Sequence, residues 1–285
     1  MTRIKRFLAL ILILCGGGNS LVEAGAQERP FLAQTFFAQS AKKMLQQEVK
    51  GEDVSYLLLD ARAGNVIATN WSELEKPIPL GSLIKPFTAL AYGETHAFRY
   101  PRHVCRGTVD GCWRPGGHGE LDVTRAIAHS CNSYFQSLTA VMTSTDLLPE
   151  AQKYHFNPPS EQISGAALAG RGNQWQIAPI DIARAYLELV QRRDDPGIKD
   201  IVDGLKQSAK AGTGAQVDAS LQPTEALSKT GTAACTHSQS APGDGFVVVL
   251  TPADQPQLLL LVRLHGAPGA SAARVAGELL HRIVE

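Results

Sequence analysis

Neither sign of charge is in excess: 27 basic residues face 27 acidic ones, so no net positive field exists to draw in nucleic acid through its phosphates. Charged residues make up only 19% of the chain, below the roughly 25% of an average domain, and 44% is hydrophobic, which excludes a mostly disordered chain. Internal repeats, charge blocks and low-complexity linkers are all missing, so nothing marks a second folded domain. Aromatics are sparse at 6%. Trp113, Trp175, Tyr134 and Phe135 read as core or groove lining rather than as a cofactor site, and no cofactor and no metal are implied. No apolar run reaches the roughly 20 residues that span a bilayer.

What the first residues do have is a charged start, Thr2 to Arg6, an aliphatic stretch from Phe7 to Cys15, and the small residues Ala24-Gly25-Ala26 at cleavage spacing. This is the pattern of a secretory signal over residues 1–26, or of an uncleaved anchor if Gly16 to Gly18 are counted in. Leu14 stands before Cys15 where a lipoprotein signal carries a small residue, so Cys15 reads as signal-helix filling. Removing 26 residues from 285 leaves 259 for one catalytic-size domain, residues 27–285, placed outside the cytoplasm.

Export makes disulfides permissible for Cys105, Cys112, Cys131 and Cys235. Cys105 and Cys112 bracket a turn-rich stretch and are read as a local staple. His103 and His118 flank the pair, so zinc is an alternative, although the spacing matches no standard finger pattern. Free thiols are the third reading.

Hydrophobic spacing predicts a helix over 35–49, strands over Val54–Asp60 and Val66–Thr69, and helices over 83–93, 121–129, 133–143, 146–154, 179–191 and 197–210. Strands follow at Ala226–Thr232, Gly245–Thr251 and Gln257–Leu264, then a helix at Ser271–Ile283. The expected fold is mixed α/β: an antiparallel sheet built from the first and last segments of the chain, flanked by helices, with a mostly helical lobe between.

Three short motifs carry chemistry. Ser82-Leu83-Ile84-Lys85 opens a helical run whose first turn accommodates Pro86, and residues i and i+3 share a face, so the Lys85 amine can reach the Ser82 hydroxyl. Burial near a helix N-terminus disfavours the ammonium form, leaving an amine able to activate the serine. By itself Ser-x-x-Lys is weak, and an N-cap serine with a solvated lysine explains it equally. Ser130-Cys131-Asn132 lies between two helical patterns and can aim Ser130 and Asn132 at one cleft while Cys131 turns inward; capping at an interhelical turn is the plainer reading. In Lys229-Thr230-Gly231-Thr232, strand geometry puts Lys229 and Gly231 on one side and the two threonines on the other. A cation beside two hydroxyls suits a carboxylate, and Gly231 would admit a substrate backbone. His118 and His129 near the second motif read as packing or turn-stabilising residues, and Gly212-Thr213-Gly214 is too short for a phosphate loop.

Taken together and in this order, the three motifs resemble those of the penicillin-binding protein transpeptidase domain. Tyr56–Thr69 is similar to that domain's opening strand-turn-strand, Gly81–Phe87 to its nucleophile segment, Gly117–Gly119 and Ala128–Phe135 to the approach to its second motif, and Lys229–Ala233 to its third. The resemblance covers most of residues 35–285. It implies a β-lactamase/transpeptidase-like fold and an acyl-transfer cycle on D-alanyl-D-alanine stem peptides of peptidoglycan. Ser82 would be the nucleophile, Lys85 its base and Ser130 the proton relay. Asn132 would hold the substrate amide, Lys229, Thr230 and Thr232 the terminal carboxylate, and the backbone N–H groups of Ser82 and Thr232 the oxyanion. It further implies β-lactams as acylating inhibitors and cell-wall assembly proteins as partners.

Two departures matter. Only about eight residues separate Ala26 from the first predicted helix, which leaves no room for a polymerase domain or pedestal, and 97 positions separate Asn132 from Lys229, compact for a large member. A serine β-lactamase is the main competitor. Class A members carry Glu-x-x-x-Asn after the second motif, absent here because Glu150 and Glu161 lack Asn four positions on, and class D members carry an aliphatic residue where Asn132 stands. A catalytically silent peptidoglycan-binding or β-lactam-sensing module is the third reading.

Overall fold

The computed structural model describes residues 24–235 and 243–285, with side chains from residue 36 onward. The expected signal therefore lies almost wholly outside the described residues, and among those described no helix is long and apolar enough to cross a membrane. The chain divides into two units, residues 1–38 and 39–285, and every described strand belongs to the second.

Helix α1 (Ala24–Glu48) leads into β1 (Val54–Asp60) and β2 (Val66–Thr69), the hairpin the sequence predicts. Next come β3 (Ile78–Pro79), a 3-10 turn at Gly81–Ile84, α2 (Lys85–Thr95), β4 (His103–Cys105), β5 (Gly119–Leu121), α3 (Val123–Ala128) and α4 (Asn132–Thr139). After α5 (Leu148–Lys153), α6 (Gly165–Leu168) and β6 (Gln176–Ile177) come the longer α7 (Pro179–Gln191) and α8 (Ile198–Ala211), then α9 (Ala215–Leu221). Strands β7 (Leu227–Ala233), β8 (Asp244–Thr251) and β9 (Leu258–Leu264) and helix α10 (Gly269–Val284) close the chain.

The main sheet has the order β2-β1-β9-β8-β7 and every pairing in it is antiparallel, with β1 laid along β9 from Val54 opposite Leu264 to Asp60 opposite Leu258. First and last segments thus share one sheet, as expected. The central strands are aliphatic at consecutive positions because both faces are covered. Tyr56, Leu58, Val247, Val249, Leu260 and Val262 pack with Leu45 of α1 and Ala272, Ala276 and Leu280 of α10. Leu57, Leu59, Val248, Leu250, Leu259 and Leu261 face the helical lobe and pack in one core with Phe87 and Tyr186. Phe87 meets Tyr154, Phe156 and Tyr186 edge-to-face at centroid distances of 5.3, 5.1 and 5.4 Å, which anchors α2 behind the site.

The short pairs β3–β6 and β4–β5, and helices α6 and α9, are not visible in the hydrophobic period. The staple expected between Cys105 and Cys112 is not formed. Both are free, and they turn toward His118 rather than into bonding contact with each other.

Candidate active site

The first motif sits on two kinds of helix. Pro86 has no N–H to give to the Ser82 carbonyl four residues back, and that carbonyl instead accepts from the Lys85 N–H three residues on. The segment Gly81–Ile84 is accordingly 3-10, a geometry that eclipses positions i and i+3 and so places Lys85 over Ser82. The turn is clamped from behind: the buried Tyr186 hydroxyl donates to the Leu83 carbonyl at 2.6 Å, and Thr88 Oγ1 donates to the Leu168 carbonyl at 2.7 Å.

Lys85 is wholly buried. Its Nζ donates to the Ser130 carbonyl at 2.8 Å and to Asn132 Oδ1 at 2.7 Å, with Ser130 Oγ at 3.4 Å. Its pKa is brought down to about 7, chiefly by burial, with the Cys131 and Cys112 sulfurs opposing and the nearby Arg171 charge adding to the fall. A neutral amine has two N–H bonds and one lone pair. The two short acceptors take both N–H bonds and leave the lone pair free for a proton.

Ser130 lies at the centre of the arrangement. It ends the turn after α3 with φ of 50°, a left-handed conformation that serine adopts at some cost. Its Oγ receives the Lys229 Nζ at 2.9 Å and stands 3.4 Å from Lys85 Nζ, so one hydroxyl bridges both amines. Lys229 is also fully buried, bonds the Thr230 carbonyl at 2.6 Å, and is held well below the ordinary lysine pKa by burial and by the Lys85 charge. Asn132 opens α4, with Cys131 at the N-cap.

The third motif forms edge strand β7. Its glycine does something other than the sequence predicts: a Cβ on Gly231 would stand 2.4 Å from the Leu80 carbonyl oxygen and 3.1 Å from Leu83 Cγ. The missing side chain admits the nucleophile turn rather than a substrate backbone. Gly81, at φ of 58°, meets the strand from the other side, where a Cβ would fall 2.2 Å from the Thr232 carbonyl oxygen. Backbone therefore packs on backbone between Gly81 and Thr232, and the peptide groups of Ser82 and Thr232 come close together.

These groups line a cleft of about 470 Å³ that exposes Ser82, Ser130, Asn132, Thr230, Gly231 and Thr232, with both lysine amines behind its wall. All eight residues singled out in the sequence meet here. Three more do as well. Thr213 Oγ1 accepts from Thr230 Oγ1 at 2.6 Å, Trp113 Nε1 donates to the Ser130 carbonyl at 3.3 Å, and Arg171 brings a positive charge to the rim. Thr213 lies in the glycine turn that the sequence leaves without a role, and Arg171 lies in Gly170-Arg171-Gly172, a second such turn.

A family model of the penicillin binding protein transpeptidase domain matches residues 54–285. The chain belongs to that family. The transpeptidase domain has solved structural relatives of low identity. Pseudomonas aeruginosa PBP2 in complex with WCK 5153 aligns with a TM-score of 0.70 at 17% identity over 87% of this chain and 76% of that one. The D,D-transpeptidase domain of a peptidoglycan glycosyltransferase from Eggerthella lenta aligns at 0.70 and 15% identity over 86% and 80%. Helicobacter pylori PBP2, solved as a complex with MreC, aligns at 0.67 and 13% identity over 87% and 62%. No curated protein sequence matches the chain. At these identities the likeness establishes the shared transpeptidase fold, and the roles of individual residues rest on the geometry above.

Proposed function

We propose that this transpeptidase domain is a penicillin-binding serine acyltransferase, acting on D-alanyl-D-alanine stem peptides of peptidoglycan as a transpeptidase or carboxypeptidase. Lys85 is the single observation that carries the reading: a lysine sealed from water one 3-10 turn after a cleft-lining serine, with its N–H bonds committed to the Ser130 carbonyl and Asn132. Ser82 Oγ attacks the penultimate D-alanyl carbonyl and its proton passes to Lys85 Nζ. The tetrahedral oxyanion forms against the adjoining backbone N–H groups of Ser82 and Thr232, each such donor contributing about 3 kcal/mol in comparable sites. Ser130, hydrogen-bonded to Lys229, delivers a proton to the departing D-alanine amine. Thr230 and Thr232 hold the terminal carboxylate at the cleft surface, with Lys229 behind them bonded to Ser130 and the Thr230 carbonyl, and Asn132 holds the substrate amide. An acceptor amine then resolves the acyl-enzyme into a cross-link, or water resolves it into a trimmed peptide. A β-lactam acylates the same serine.

Among the described residues no carboxylate lines the cleft, so the cleft offers no second, carboxylate base dedicated to driving water onto the acyl-enzyme. This favours a long-lived penicillin adduct over β-lactamase turnover. The substrate places the domain outside the cytoplasm, with residues 1–26 as its export signal or anchor and residues 27–285 as the mature domain. Cell-wall assembly proteins are the partners that such a location implies. The test is release of D-alanine from a synthetic stem pentapeptide, with and without an acceptor amine. Release that stops in Ser82→Ala supports the proposal, and no release from the wild-type protein contradicts it.

A further inference from the structure

The free thiols of Cys105, Cys112 and Cys131 converge with the His118 imidazole beside the second motif, and their ligand atoms all lie within 4.8 Å of one another. His118 Nδ1 stands 3.6 Å from Cys105 Sγ and 3.5 Å from Cys112 Sγ, and Cys112 Sγ stands 3.8 Å from Cys131 Sγ. Tetrahedral zinc with Zn–S bonds of about 2.3 Å and a Zn–N bond of about 2.05 Å has sulfur–sulfur edges of about 3.8 Å and sulfur–nitrogen edges of about 3.6 Å. The three measured edges agree with these, whereas a disulfide would bring two of the sulfurs to about 2.05 Å.

We propose that Cys105, Cys112, His118 and Cys131 form a closed structural zinc site that positions the Ser130–Asn132 turn. Three sulfurs and one imidazole suit zinc and disfavour magnesium or calcium. Four protein ligands leave no open position for a substrate, so the metal braces and does not react. Binding takes one Zn2+ and releases three thiol protons to solvent, leaving a set with one net negative charge. That charge is provided for: the backbone N–H groups of Arg114, Asn132 and Ser133 are directed at the Cys112 sulfur and that of Tyr134 at the Cys131 sulfur, so both sulfurs sit at the N-terminus of α4.

The loop is shaped to close on this point. Gly107 and Gly117 cross so tightly that a Cβ on either would fall 2.0 Å from the Pro115 carbonyl oxygen or 2.2 Å from that of Cys105. His103, a candidate ligand on sequence grounds, is instead turned to Ser133 Oγ, and Cys131 takes the fourth corner. Cys131 stands between Ser130 and Asn132, the two residues that hold the Lys85 amine, so tethering its sulfur fixes both.

The test is metal content, read without any substrate. Purified full-length protein, expressed with zinc present, is expected to hold about one zinc per chain, with X-ray absorption showing three sulfurs and one nitrogen at the distances above. Cys105→Ser and His118→Ala should each lose most of it, while Cys235→Ser, outside the cluster, should keep it. Should the cluster variants fail to fold, wild-type protein decides: thiol reagent should reach Cys105, Cys112 and Cys131 only after a chelator removes the metal. A metal-free chain that takes up no zinc on titration, or one lighter by two hydrogens through a Cys105–Cys112 disulfide, would overturn the proposal. Penicillin acylation is scored separately, so a zinc-loaded protein that ignores penicillin counts against the proposed function alone.

Discussion

Lys85 has a pKa near 7 because its ammonium has been taken out of water, and this burial sets the sign of the pH dependence. The groups around it are Ser130, Asn132, the Cys131 and Cys112 thiols, the Arg171 guanidinium and the Lys229 amine on β7. Below about pH 7 the protonated lysine cannot accept the Ser82 proton, so acylation by penicillin should fall about tenfold per pH unit in acid and level off above neutrality. A rate constant flat across that range would count against Lys85 as the base. Lys85→Met, which keeps the buried chain and removes the amine, should slow acylation by about 100- to 10,000-fold while leaving the protein folded, measured by stopped-flow or mass spectrometry.

At the scale of elements, catalysis rests on the contact between the 3-10 turn and β7. Gly231→Ala must move the Leu80 carbonyl or the strand, since 2.4 Å leaves no room for a methyl group, and either shift carries Ser82 with it. Acylation should drop at least about tenfold, well beyond what a change of strand propensity would do. Tyr186→Phe removes the donor to the buried Leu83 carbonyl and should cost about 1–3 kcal/mol, seen as a fall in Tm of several degrees.

How much of the fold and site is legible in the sequence depends on the element. The hairpin of β1 and β2 and helix α7 lie where the hydrophobic period puts them, because each is a run long enough to show its period. The pairs β3–β6 and β4–β5 are two or three residues long and leave no period to read. At Gly231 the alternation of the strand identifies the face correctly but cannot say that the nucleophile turn, not the substrate, occupies it. The cysteines show the same limit. Proximity in sequence groups Cys105 and Cys112 with His103 and His118, while the fold keeps His118, turns His103 to Ser133 and brings in Cys131 from the start of α4. Thr213 and Arg171 carry no signal beyond a glycine on either side.

At the scale of the whole molecule, the buried Glu150 carboxyl outside the site bears directly on stability. Glu150 is 2% exposed, one of its oxygens has no hydrogen-bond partner, and burial, reinforced by Glu94 and opposed by Arg192, holds its pKa up to about 7. Its folded-state pKa is raised, so the unfolded chain ionises first and stability falls as pH climbs from about 4.5 to about 7, staying low above that. Glu150→Gln should therefore raise Tm by several degrees at about pH 8 and have little effect at about pH 4.5, followed by thermal melts.

The function proposed for the whole molecule stands or falls on one covalent bond. Intact-mass spectrometry of the purified protein with penicillin, alongside Ser82→Ala, tests it directly. A single stoichiometric adduct is expected on the wild-type chain, persisting for hours and absent from Ser82→Ala. No adduct at any dose, an adduct that survives the loss of Ser82, or one that vanishes in seconds as the drug is consumed would contradict it.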